Sequence, residues 1–184
     1  MIYQPAEDSY FLCEIISDYL IKLTENQRPK IKVLDMGTGS GIQTINCLKN
    51  KIKKQNITAI DINPDAIKET KKLKIKSIKS DLFSKVNKNS QFDLIIFNPP
   101  YLPEHKYDNQ KDTTGGKKGD ETIIKFIKQL NPHLSNNGVC FLLTSSLTPE
   151  SAWKSEAKKQ NLKIKLIASK NLFQEKLFIW KIIL

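Results

Sequence analysis

Residues 98–101 read Asn98-Pro99-Pro100-Tyr101 and follow directly on the apolar run Leu94-Ile95-Ile96-Phe97. That order suits the holding of a planar nitrogen. A strand that runs into two prolines leaves its last carbonyls free, because proline has no N–H and cannot continue a ladder. The Asn98 side-chain oxygen and the Pro99 carbonyl then offer two acceptors to the two hydrogens of an –NH2 group on a planar carbon. Tyr101 stacks on the flat face of that group. The expected chemistry is a reaction at an amide or aromatic amine, with Asn98, Pro99 and Tyr101 as catalytic residues and Pro100 completing the substrate contact.

A second segment offers a reaction partner. Ile31-Lys32-Val33-Leu34 favours a strand, and Asp35-Met36-Gly37-Thr38-Gly39-Ser40-Gly41 follows it. Alternating glycines let a backbone turn tightly against a ligand. Ile42, Ile45, Cys47 and Leu48 open a helix, so the unit reads as a nucleotide-binding strand–turn–helix. The single-residue spacing of Gly37, Gly39 and Gly41 departs from the dinucleotide fingerprint. A pyrophosphate is ill placed beside Asp35, whereas a cofactor with a cationic methionine-like end tolerates it; S-adenosylmethionine is favoured over NAD. Asp61 ends the run Ile57-Thr58-Ala59-Ile60, where an acid accepts from ribose hydroxyls. Asp81 follows Ile75-Lys76-Ser77-Ile78 and is placed to accept from an adenine amino group, with Leu82 covering the ring. Each acid taken alone reads equally well as a helix cap, and Asp61-Ile62-Asn63-Pro64-Asp65 has the form of one.

The chain resembles the class I S-adenosylmethionine-dependent methyltransferases, and more narrowly the HemK-like glutamine methyltransferases of peptide-chain release factors. The matching segments are Tyr3-Gln4-Pro5-Ala6-Glu7-Asp8-Ser9, Val33 to Gly41, Asp61-Ile62-Asn63-Pro64-Asp65-Ala66 and Phe97-Asn98-Pro99-Pro100-Tyr101-Leu102-Pro103, with Gly115-Gly116-Lys117-Lys118-Gly119 after them. The N-terminal segment is similar to the short archaeal and eukaryotic branch; 184 residues leave no room for the extra helical domain of the bacterial branch. The resemblance implies cofactor contacts from Ser9, Asp35, Gly37, Thr38, Gly39, Asp61, Asp81, Leu82 and Asn98. It also implies substrate contacts from Asn98, Pro99, Pro100 and Tyr101. Thr113-Thr114 stands where relatives often carry a nearby Trp, a departure that bears on the substrate lid. Members of this branch commonly work with a small zinc-binding activator subunit on an apolar edge near the third strand; Ile75, Ile78 and Phe83 are the candidates here, interrupted by Lys74, Lys76 and Lys79.

Length and composition set the frame. The length fits one domain, 1–184, with residues 1–28 packing a helix onto it. The apolar fraction of 39% suits a globular fold. No run of eighteen apolar residues predicts a membrane span, and the N-terminus has no basic-then-apolar signal. Cys13, Cys47 and Cys140 form no metal spacing and no disulfide framework; Cys13 and Cys140 read as core packing, and the reducing cytoplasm is the expected compartment. His105 and His133 are isolated and read as surface or structural. The net charge is +11, yet all but one of the 30 basic residues are lysine, Arg28 being the exception. Arginine is the preferred bidentate reader of phosphate and guanine. The dense run Lys68, Lys71, Lys72, Lys74, Lys76, Lys79 reads first as a solvated face and second as a surface for an acidic or ribosomal partner.

The elements that must position these residues alternate. Residues 8–23 form an amphipathic helix with Leu12, Ile15, Ile16, Tyr19, Leu20 and Leu23 on one face and acids in its first turn. Strands are expected at 31–35, 57–61, 75–79, 92–97, 138–144, 162–169 and 175–183, and helices at 41–50, 64–72, 120–130 and 149–160. This pattern predicts an α/β fold: a Rossmann-like, seven-stranded, mostly parallel sheet with helices on both faces. The short link around Asn171-Leu172-Phe173-Gln174 makes the last strand antiparallel. Strand carboxyl ends then bring Asp35, Asp61, Asp81 and Asn98 to one crevice. Residues 102–119 are long and polar for a connection and are expected to be a lid, the least ordered part without substrate.

The expected mechanism is an in-line methyl transfer from a sulfonium to a side-chain amide nitrogen, driven mostly by positioning, with no titratable base beside Asn98. Asn-Pro-Pro-Tyr alone leaves open an amide, adenine N6 or a lysine amine. An adenine-N6 methyltransferase on RNA or DNA would suit the charge but lacks a target-recognition domain and a basic stripe interleaved with aromatics; nucleic acid is therefore possible but not favoured. A catalytically silent binding subunit is the alternative from another class.

Overall fold

The computed structural model describes residues 2–103 and 115–184. Its helices are α1 (Glu7–Lys22), α2 (Ile42–Lys49), α3 (Pro64–Lys72), α4 (Glu121–Leu130) and α5 (Ser151–Lys159). Its strands are β1 (Val33–Met36), β2 (Ile57–Asp61), β3 (Lys76–Lys79), β4 (Phe92–Phe97), β5 (Leu134–Ser145), β6 (Lys163–Asn171) and β7 (Lys176–Ile183). The strands form one seven-stranded sheet in the order β3-β2-β1-β4-β5-β7-β6. β1 to β5 pair in parallel, and β7 runs antiparallel to both β5 and β6. The antiparallel strand is therefore inserted one place in from the edge, with β6 outermost.

Period-two alternation along the central strands fills both faces of the sheet. Leu94 and Ile96 of β4 join Val33, Ile57 and Phe141 under α1 and α2. Ile95 and Phe97 face the other way and join Leu34, Met36 and Ile60 against α4 and α5. The apolar stripe of α1 is buried as its spacing predicts, with Leu12, Ile16 and Leu20 at 0% exposure. Asn63 caps α3 by accepting a hydrogen bond from the Asp65 amide at 2.9 Å, ahead of Pro64.

Two expectations are corrected. β5 begins at Leu134, not 138: its first residue pairs with Phe92, and a register shift between Phe92 and Leu94 absorbs the polar Ser135-Asn136-Asn137-Gly138 stretch that reads locally as a loop. Phe83 is not on an edge near β3. It is buried, stacked on Phe126 at 5.5 Å and on the His133 ring at 4.5 Å. Its aromatic neighbours come from α4 and the α4–β5 link, which nothing local to Phe83 announces. His133 is structural, with Nδ1 against the Ser90 carbonyl at 2.9 Å. Cys13 is half-buried, and Cys47 and Cys140 are buried. The six lysines from Lys68 to Lys79 are all exposed. Among the described residues no helix is long and apolar enough to cross a membrane.

Candidate functional site

The register of the central strands aligns their carboxyl ends. Met36 lies opposite both Ile60 and Phe97, and Asp61 opposite Lys79. The residues that follow each strand therefore open on one edge of the sheet. There they line a cavity of about 540 Å³, within the ~300–1,000 Å³ typical of small-molecule sites, whose walls include Ser9, Asp35, Gly37, Thr38, Gly39, Asp61, Asp81, Leu82 and Asn98 through Tyr101. Every site residue expected from the sequence is in that wall.

The Gly-rich turn is held from three sides. Asp35 Oδ2 accepts from Thr38 Oγ1 (2.6 Å), Thr44 Oγ1 (2.7 Å) and the Thr44 amide (3.1 Å), which ties the turn to the start of α2. The Thr38 amide donates to the Ile60 carbonyl at 2.9 Å. The Gly39 amide donates to Asp61 Oδ2 at 2.8 Å, and the Asn63 amide to Asp61 Oδ1 at 2.8 Å. Gly37 has φ +61°, a left-handed conformation in which a side chain is strained, and a Cβ there would lie 3.2 Å from the Phe97 ring, so the position favours glycine. Burial pushes the Asp35 carboxyl up to about 6, against its hydrogen bonds from Thr38 and Thr44. Asp35 and Asp61 thus brace the turn as well as face the cavity.

Asp81 is exposed and pairs with Lys125 of α4, Nζ to Oδ2 at 2.5 Å. The following residue, Leu82, is buried with φ +48°, a left-handed conformation uncommon outside glycine. It is secured by Ser80 Oγ, which donates to the Leu82 carbonyl at 2.9 Å. The turn after β3 is thus shaped to lay Leu82 on the cavity.

The other end of the cavity is built around Asn98. Its Nδ2 donates to Asp8 Oδ2 at 2.9 Å, while its Oδ1 is buried without a hydrogen-bond partner among the described residues. The Asp8 carboxylate is itself fixed by the Tyr3 hydroxyl (3.0 Å) and the Ser9 amide (2.6 Å), both to Oδ1. Ser9 enters through its backbone: its carbonyl accepts from Gln43 Nε2 at 2.9 Å, joining α1 to α2. Burial, then the Asp8 charge, raises the Tyr3 phenol; burial, then Asp8 and Glu175, raises Tyr101. Both hydroxyls stay protonated at neutral pH. The Tyr101 carbonyl accepts from Thr148 Oγ1 at 3.1 Å.

The described ends of the 102–119 connection are tied beside this segment, Gly115 N donating to the Leu102 carbonyl at 2.9 Å. The expected disorder of the loop, the Thr113-Thr114 departure and His105 fall wholly or mainly outside the described residues.

Three charged wall residues are absent from the sequence-based site. Asp8 reads locally as a first-turn acid serving the helix dipole, but it is buried and holds Asn98. Contrary to expectation, a carboxylate therefore does stand directly beside Asn98. Lys125 shows no local signal. Glu175 arrives on the β6–β7 turn, where its carboxylate accepts from Ser145 Oγ at the end of β5. Asp8 alone was traceable, since it belongs to the quoted Tyr3-to-Ser9 segment.

The methyltransferase small domain family model matches residues 13–173. A putative protein N5-glutamine methyltransferase of Methanocaldococcus jannaschii is 35% identical over 97% of this chain and 89% of its own length. A release factor glutamine methyltransferase of Fusobacterium nucleatum is 40% identical over 52% of this chain, which spans only 28% of that relative. The E. cuniculi Mtq2 chain, solved in complex with Trm112 and described as responsible for methylating the eRF1 termination factor, shares the fold at TM-score 0.74 and 22% identity, over 98% of this chain and 97% of that one. With the family model covering most of the sequence and the archaeal relative aligning along nearly all of it, this chain belongs to the methyltransferase small domain family.

Proposed function

We propose that this protein is an S-adenosylmethionine-dependent N-methyltransferase acting on the side-chain amide of the Gly-Gly-Gln glutamine in a peptide-chain release factor. The observation that carries the reading is the Asn98 carboxamide in the cavity wall: Asp8 takes its NH2 end, and its Oδ1 is buried with no hydrogen-bond partner among the described residues. A buried acceptor without a partner costs ~1–3 kcal/mol, and a ligand donor removes that cost. With the Pro99 carbonyl beside it, Oδ1 suits an NH2 group.

The cavity fits the methyl donor. A Cβ at Gly39 would meet only the Gly37 carbonyl at 4.0 Å, so the turn leaves open space at the wall. On this reading Asp35, Asp61, Asp81 and the Leu82 side chain, all in the cavity wall, serve a cationic amino-acid end, a ribose, an adenine amino group and an adenine face. Asp81 reaches adenine by exchanging its ion pair with Lys125, both groups being about half exposed. When bound, S-adenosylmethionine supplies an electrophilic methyl group on a sulfonium.

The chain's own residues do the rest. Asn98 and the Pro99 carbonyl grip the two amide hydrogens, which raises electron density on a nitrogen otherwise delocalised into its carbonyl. Asp8 fixes which end of the Asn98 carboxamide faces the substrate. The Asp8 charge also favours the positive charge that develops on the nitrogen, because it is oriented before the reaction begins, and the methylated nitrogen then loses one N–H proton to water.

Five carboxylates (Asp8, Asp35, Asp61, Asp81, Glu175) and one lysine (Lys125) line the cavity among the described residues. A phosphate-bearing acceptor is repelled by such a wall, which supports protein over RNA or DNA despite the net charge of +11. The reading extends to the cytoplasm as the site of action and to a small zinc-binding activator subunit. For the latter, β3 is the outermost strand on its side of the sheet, with Ile75 and Ile78 half-buried beside exposed Lys76 and Lys79.

The test is transfer of labelled methyl to a release factor and to its Gly-Gly-Gln variant with alanine for glutamine, with and without a co-expressed activator. Label on the natural factor alone is expected. Label that persists on the alanine form, or appears on lysine or nucleic acid instead, overturns the reading.

A further inference from the structure

Resting on that reading, we propose that the turn between β6 and β7, residues Leu172 to Glu175, reads the polypeptide that carries the acceptor amide, and that Glu175 selects a cationic side chain beside it. The turn is closed by the Leu172 amide donating to the Glu175 carbonyl at 2.8 Å. It presents two unlike groups. Phe173 is 100% exposed, the most exposed of the large apolar side chains among the described residues. Glu175 is half-buried and lines the same cavity as Asn98.

Glu175 is fixed in place. One carboxylate oxygen, Oε2, accepts from Ser145 Oγ, and no other hydrogen bond or ion pair engages its side chain among the described residues. Ser145 is fully buried, its amide donates to Thr148 Oγ1, and Thr148 Oγ1 donates in turn to the Tyr101 carbonyl. Glu175 is thereby connected to the acceptor segment rather than to the Gly-rich turn. The same hairpin approaches the start of α1, with Lys170 Nζ 3.9 Å from Glu7 Oε1. At this end of the cavity Asp8 is occupied by Tyr3, Ser9 and Asn98, so Glu175 is the carboxylate with an oxygen to spare. Lys125, the only wall lysine among the described residues, is paired with Asp81 from the turn after β3.

Charge complementarity then names the occupant. A fixed carboxylate with a free oxygen, in a wall that holds more acids than bases, favours an ammonium or guanidinium. A neutral amide acceptor does not supply that charge, so a neighbouring residue of the substrate must. Phe173 offers the same polypeptide apolar surface outside the cavity, where burial of a fully exposed ring strengthens docking.

The experiment uses the full chain with S-adenosylhomocysteine and two fluorescent peptides, both containing Gly-Gly-Gln, one followed by lysine and the other by norleucine. Anisotropy titrations at fixed ionic strength are expected to give about tenfold tighter binding of the lysine peptide. E175Q keeps an oxygen for Ser145 and should reduce that ratio to about one. F173A should weaken both peptides by about threefold without changing affinity for S-adenosylhomocysteine, an exposed ring contributing through contact alone. Equal binding of the two peptides by the natural protein, a ratio that survives in E175Q, or no binding of the lysine peptide at about 1 mM overturns the proposal. Because the readout is binding, a lost ratio with intact release-factor methylation counts against Glu175 only, and a preserved ratio without methylation counts against the acceptor assignment only.

Discussion

Asp8 accepts a hydrogen bond from Asn98 Nδ2 at 2.9 Å, although 90 positions separate the two residues in sequence. The bond fixes the carboxamide, and with it the orientation of the acceptor oxygen that the proposed function assigns to substrate. Asp8→Asn retains shape but lets either end of the Asn98 side chain face it. We expect kcat to fall ~10- to 100-fold, the scale of one charge-assisted hydrogen bond, with donor affinity within about twofold. Unchanged kcat in steady-state methyl transfer would show that Asn98 orients itself.

Asn98→Ala removes the acceptor altogether. Turnover should fall by ~10²–10³, as when one preorganised group is deleted from a transition-state site, while calorimetric affinity for S-adenosylmethionine stays nearly intact. Substantial residual activity would leave the Pro99 carbonyl as the sole grip and remove Asn98 from the mechanism.

Asp35 makes stability depend on pH. Its carboxyl is raised from 3.8 to about 6 in the folded chain, first by burial. The native state therefore binds this proton more tightly than the unfolded state. The group favours folding most at low pH, and that contribution is lost as pH rises from about 4 to about 6. The Tm of Asp35→Asn minus that of the natural protein should accordingly grow across this window. A constant difference in thermal scans would contradict the buried, partly protonated carboxyl. A cationic ligand group beside Asp35 pulls its proton off, so donor affinity should rise from pH 5 to pH 7 in the natural protein and lose that slope in the variant.

Gly115 closes the 102–119 connection against the acceptor segment. A Cβ at this position would lie 2.5 Å from the Pro100 carbonyl oxygen. Gly115→Ala must displace either the loop base or Pro99-Pro100. The expected result is a stability loss of ~1–3 kcal/mol, as for overpacking, and a rise in KM for release factor larger than any change in donor affinity. Denaturant titration and steady-state kinetics measure the two; native values of both would mean that the loop base yields freely.

Much of this molecule is written locally. The apolar alternation of Leu94 to Phe97, the 3–4 spacing of Leu12, Ile16 and Leu20, and Asn63-Pro64 each fix an element through interactions a few residues long. So do the glycines of the 37–41 turn. Because parallel strands expose their carboxyl ends on one edge, those local signals also gather Asp35, Asp61, Asp81 and Asn98 without any knowledge of packing. The order of β6 and β7, the burial of Phe83 against His133 and Phe126, and the pairing of Asp81 with Lys125 depend on which surfaces meet after the chain has closed. The same holds for two other carboxylates of the cavity: Asp8 reaches Asn98, and Glu175 reaches the wall, only through long-range docking of α1 and the β6–β7 turn, and neither the helical periodicity around Asp8 nor the turn residues around Glu175 encode a direction toward the cavity.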